Sequence, residues 1–104
     1  MSTDRQTFHA EWNGIGIQIT WEPSWLNLSH RLGYDTAHLK IESILPKRVP
    51  LPITETGFRS HFTTPETVAA LGDSVAFVLA WLDEESETPA WRKREQAARQ
   101  LSMF

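Results

Sequence analysis

Phe8-His9-Ala10-Glu11-Trp12-Asn13-Gly14-Ile15-Gly16-Ile17-Gln18-Ile19-Thr20-Trp21 is the stretch on which the fold turns. Asn13-Gly14 suits a two-residue type I′ hairpin loop, whose central residues both need positive φ. Such a loop pairs 12 with 15, 10 with 17 and 8 with 19. All six positions are apolar, so they share one face, while His9, Glu11, Gln18 and Thr20 share the other. An N-terminal hairpin with one oily face needs further elements to cover it.

Downstream, Pro23 ends the second strand and residues 22–35 read as a loop. Ala37, Leu39 and Ile41 alternate with His38, Lys40 and Glu42 as a third strand. Pro46, Pro50 and Pro52 predict a stiff, extended connector over 45–52. Residues 53–62 predict a fourth strand, with Gly57 marking a bulge or weak point. Phe58, Ser60 and Phe62 then lie on one side, Arg59 and His61 on the other. The period changes after Phe62. Thr64-Pro65-Glu66 is a capped helix start, and Gly72 stops that helix. Asp73 caps a second helix, whose SVAFVLAWL (74–82) is apolar on every side and therefore packs centrally across the sheet, with Trp81 at one end. Thr88-Pro89 starts a third helix, expected from Ala90 to about Arg99. The predicted class is α+β: an antiparallel sheet of three to four strands covered on one face by two to three C-terminal helices. Residues 1–99 are expected to form one domain, and 100–104 a C-terminal tail.

Composition fits this reading. The chain has 104 residues, enough for one core, and 40% hydrophobic with 22% charged residues is globular rather than disordered. Zero cysteines exclude disulfide scaffolds, thiolate zinc and thiol nucleophiles, and fit a cytoplasmic location. No apolar run is long enough for a membrane span. A net charge of −3 argues against direct nucleic-acid binding, with a monomer or weak dimer expected. RKREQAAR at 92–99 is basic, but reads as an exposed helix face beside the acidic DEESE at 83–87.

The sequence shows no catalytic pattern: no Gly-x-Ser-x-Gly elbow, and a Gly-Ile-Gly at 14–16 that belongs to the hairpin. The expectation is a protein that is not an enzyme and carries no cofactor. Of His9, His30, His38 and His61, three are predicted on the polar sheet face (His9, His38, His61), without metal-ligand spacing, and no metal is assigned. Glu55, Arg59 and His61, beside Phe58 and Phe62, form with His38 a candidate ligand- or peptide-binding surface.

Gln100-Leu101-Ser102-Met103-Phe104 ends the chain with three large apolar side chains. They either fold back on their own domain or dock elsewhere. The pentapeptide resembles the bacterial sliding-clamp binding motif: Gln100, Leu101, Ser102 and Phe104 match, and Met103 replaces the usual leucine. The resemblance implies that Gln100 fills a small polar pocket of the clamp, with Leu101, Met103 and Phe104 in its hydrophobic cleft. The chain as a whole, through LPITETGFRSHF (51–62), VAFVLAWLD (75–83) and its Met-Phe end, is similar to small uncharacterised proteins of plasmid-bearing proteobacteria. That likeness implies a fold unit without an activity. Together these readings predict a small interaction protein that docks on the DNA sliding clamp through its tail, or alternatively a binding domain that uses the polar sheet face and residues 53–62.

Overall fold

The computed structural model describes residues 5–23 and 36–101, with the helix path alone for 98–101. Four strands, β1 (Gln6–Trp12), β2 (Ile15–Glu22), β3 (Ala37–Leu45) and β4 (Phe58–Thr63), form one antiparallel sheet in the order β1-β2-β3-β4. Helices α1 (Pro65–Ala69), α2 (Ser74–Glu85) and α3 (Pro89–Leu101) follow. The protein is an α+β domain, as the change of hydrophobic period implies. The predicted loop over 22–35 lies outside the described residues beyond Pro23, as does His30.

The hairpin has the expected register: Trp12 opposes Ile15, Ala10 opposes Ile17, and Phe8 opposes Ile19. Asn13 and Gly14 both take positive φ, 51° and 81°, as a type I′ turn demands. The inward row extends across β3 through Leu39 and Ile41, and Ile17, Ile19, Leu39 and Ile41 are fully buried. Val78 and Leu82 of α2 close over them. At about 1.5–3 kcal/mol per fully buried large aliphatic side chain, this layer is the main source of stability.

Caps fix where the helices begin. Thr64 accepts from the Thr67 amide at 3.3 Å, and Asp73 accepts from the Ala76 amide at 2.8 Å. Thr88 accepts from the Trp91 amide at 3.3 Å and so starts α3. Trp91 is buried and meets Trp12 with ring centroids 6.1 Å apart; Trp12 donates from Nε1 to Asp83 at 2.8 Å. One aromatic anchor thus ties α3 to the hairpin. α3 runs on to Leu101, so Gln100 and Leu101 are its last two residues; Ser102, Met103 and Phe104 lie outside the described residues. No described helix is long and apolar enough to cross a membrane.

Residues 45–57 differ from expectation. The connector is not extended. The peptide Leu45–Pro46 is cis, Ile44 bridges to Lys47, and the Arg48 amide donates to the Ser43 carbonyl at 3.0 Å. Buried Ser43 explains the fold-back: its hydroxyl donates to the Val49 carbonyl at 2.8 Å, drawing the proline segment over the end of β3. The predicted fourth strand is also shorter, because Leu51 and Thr54 bond each other in a tight turn. Gly57 follows with φ 77° and packs so closely that a Cβ there would meet Ser43 Oγ at 2.6 Å and Arg48 backbone at 2.7 Å.

Candidate functional site

The four residues proposed as one ligand surface fall in three places. β4 decides this. Leu39 opposes His61 and Ile41 opposes Arg59, so both β4 side chains lie on the helix-covered face. His38 opposes Phe62 and projects from the face away from the described helices, the open face, on which Thr20, Glu22 and His38 are themselves buried. The expected cluster of His9, His38 and His61 on one face is therefore corrected: His61 points the other way, because its partner Leu39 belongs to the core row. Glu55 sits in the turn before β4 and reaches Arg94 of α3 at 3.7 Å. His9 pairs with Gln18 at 3.0 Å.

On the helix face, α2 is apolar all round, but only its Ser74, Val78 and Leu82 side is buried. Phe77 and Trp81 are left at its flank, facing β4. His61 lies 4.6 Å from Trp81 and 6.2 Å from Phe77 between ring centroids, and the Arg59 guanidinium sits 5.3 Å over the Trp81 ring. Arg59 donates to the Ile53 carbonyl at 2.9 Å. His61, Phe77 and Trp81, with Leu71, Ala80 and Glu84, wall a largely apolar cleft of about 410 Å³, and Arg59 stands beside it over Trp81. Leu71 on its rim is 52% exposed. Burial, then the charges of Arg59 and His38, lowers the His61 pKa below its ordinary value. The cleft opens beside β4, whose outer edge pairs with no strand among the described residues.

On the open face, side chains from three consecutive strands converge. Glu22 ends β2, His38 opposes it on β3, and Ser60 lies on β4. His38 Nδ1 is 3.5 Å from Glu22 Oε1, and Nε2 is 2.6 Å from Ser60 Oγ. Arg5 Nε approaches Glu22 Oε2 at 3.8 Å. Glu22 and His38 are buried, and Ser60 is exposed. The Phe62 ring flanks His38 at 4.8 Å. Sequence reasoning missed Glu22 and Ser60. Parity points the other way, since Ser60 shares its side of the strand with Phe58 and Phe62, and Glu22 reads as loop.

Two residues of the basic stretch of α3 are matched within the chain. Arg92 bonds Glu87 at 2.6 Å, and Arg94 pairs with Glu55 and packs 5.8 Å from the Trp91 ring centroid. A polar cleft of about 630 Å³ beside the hairpin tip is similarly self-satisfied through Trp12–Asp83 and Arg92–Glu87.

Against this geometry stands one family-level match: residues 5–91 correspond to the KlcB third domain. The chain belongs to the KlcB third-domain family. The matched segment contains the whole sheet, α1 and α2, and ends at Trp91, the aromatic anchor of α3. Both side-chain clusters therefore lie inside the family unit, while most of α3 and the QLSMF end lie beyond it. No curated protein and no solved structure matches the chain.

Proposed function

We propose that this KlcB-type domain is an interaction module that takes up an extended peptide along β4, with an apolar side chain of the peptide seated in the cleft of His61, Phe77 and Trp81. The half-buried aromatic flank of α2, with its cleft beside a strand edge, carries the reading. An unpaired edge offers main-chain donors and acceptors to an added strand, and an adjacent pocket selects side chains. Arg59 sharpens the occupant's chemistry. Its polar partner is a neutral carbonyl, and no carboxylate pairs with it among the described residues. A peptide with an acidic residue next to its apolar anchor meets that charge. In plasmid-borne systems such a module would join protein components.

The test is selection of a displayed peptide library on the intact protein, followed by affinity measurement. Sequences with an apolar anchor and a neighbouring carboxylate are expected to emerge, and Trp81→Ala is expected to weaken them at least about tenfold, as for a central aromatic contact. Selected peptides that bind Trp81→Ala as well as wild type, or a selection that enriches nothing, would overturn the reading.

A second contact is proposed from the sequence at the other end of the molecule. Four of the five QLSMF positions match the sliding-clamp motif, and α3 carries Gln100 and Leu101 at its C-terminal end, past Trp91. Three apolar anchors set against the entropy of ordering a short segment give micromolar-type affinity. Titrating purified sliding clamp with wild type is expected to show binding that Leu101→Ala/Phe104→Ala loses; no binding by wild type eliminates the contact.

A further inference from the structure

The open sheet face carries an arrangement that peptide docking on the helix face does not use. Three features of Glu22, His38 and Ser60 belong together. Ser60 is an exposed residue, and its Oγ lies 2.6 Å from an imidazole nitrogen, within reach for proton transfer. The other nitrogen of that ring, Nδ1, stands 3.5 Å from a Glu22 carboxylate oxygen; with hydrogen on Nδ1, Nε2 accepts from the serine hydroxyl. Glu22 and His38 are buried while Ser60 is exposed, so the ring is held in place beside a residue at the surface. Lys40 opposes Ser60 directly on β3 and shares its face. Cross-strand neighbours have Cβ atoms about 5 Å apart, so the Lys40 ammonium can reach an oxygen on an acyl group attached to Ser60.

We infer that Glu22, His38 and Ser60 form a nucleophile site, with Ser60 attacking the carbonyl carbon of small carboxylic esters and Lys40 facing the oxyanion. The site is independent of the helix-face cleft, and each can fail without the other. In the first step the Ser60 Oγ–carbon bond forms as the hydroxyl proton passes to His38 Nε2. The carbon–oxygen bond to the leaving alcohol then breaks, and His38 returns the proton to the departing oxygen. Water, deprotonated by His38 in turn, attacks the acyl carbon, releases the acid and restores the Ser60 hydroxyl. Glu22 touches no reacting atom; it is a positioning residue beside the ring.

The experiment uses the intact protein with p-nitrophenyl acetate, following nitrophenolate release and locating the acetyl group by mass spectrometry. Wild type is expected to carry acetyl on Ser60 at early times. Ser60→Ala, a change at an exposed hydroxyl, is expected to lose that adduct and the release above background. His38→Gln is expected to slow release by about 100-fold or more, the usual worth of a positioned base. Glu22→Asp, the conservative change, is expected to keep the Ser60 acetylation that Glu22→Ala loses, the mark of a positioning carboxylate. Acetyl on lysines alone, or on Ser60 at the same rate in wild type and His38→Gln, overturns the inference. Where His38→Gln fails to fold, wild type decides the matter: no acetyl on Ser60 at early times overturns the inference.

Discussion

His38 and His61 stand on adjacent strands of one sheet and face opposite ways. His61 packs among Phe77, Trp81 and Arg59 under α2, where burial and a neighbouring cation disfavour its charged form. His38 lies on the face away from the helices, between a carboxylate and a hydroxyl. The same side chain thus becomes an aromatic wall on one face and a hydrogen-bond partner on the other. One residue of strand parity separates these fates, because successive side chains alternate across a sheet. The helix face is organised by apolar packing, the open face by polar contacts.

Four changes test that division. Leu82→Ala strikes the helix-face core at a fully buried position, and should cost about 3–4 kcal/mol in urea denaturation. A loss below about 1 kcal/mol would mean that α2 is not the main cover of the sheet. Gly57→Ala should cost about 2–3 kcal/mol, because it combines positive φ with a clash against Ser43 and Arg48. Since that loop leads into β4, amide chemical shifts should move at both His61 and Ser60; a change confined to one face would separate the two regions. Ser60→Ala, by contrast, removes one hydrogen bond at an exposed site and should cost about 1 kcal/mol or less. A larger loss would make the open-face contacts a pillar of stability.

The smallest effect concerns pH. His61 has a folded-state pKa below its unfolded value near 6.5, so the unfolded chain binds more protons in that window. Its contribution is present above pH 6.5 and diminishes as pH falls through 6.5 toward the folded value. The urea midpoint of wild type should therefore drop more between pH 7.5 and 5 than that of His61→Gln. Equal drops in the two proteins would show that His61 is not desolvated under α2.

The local sequence settled a good deal. Asn13-Gly14 with flanking alternation dictated the hairpin and its register, since turn type fixes which side chains share a face. Thr64-Pro65, Asp73 and Thr88-Pro89 placed the helix starts, because a cap is a bond between residues two or three positions apart. Even the cleft had a local signature: α2 is apolar on every side, while a single sheet can bury only one side of it. Other features were invisible from spacing. The proline segment folds back because Ser43, distant in sequence from Gly57, is buried against it. The ligand surface drawn through Glu55, Arg59, His61 and His38 separates because β4 enters register with Leu39 opposite His61.

Sequence alone determined the hairpin, the third strand and the helix starts, since those choices rest on bonds and side-chain alternation within a few residues. Tertiary structure alone decided that Glu22, His38 and Ser60 meet and that His61 turns toward Trp81. Such meetings depend on inter-strand register, which is set by burying the whole apolar row at once and is encoded in no single segment.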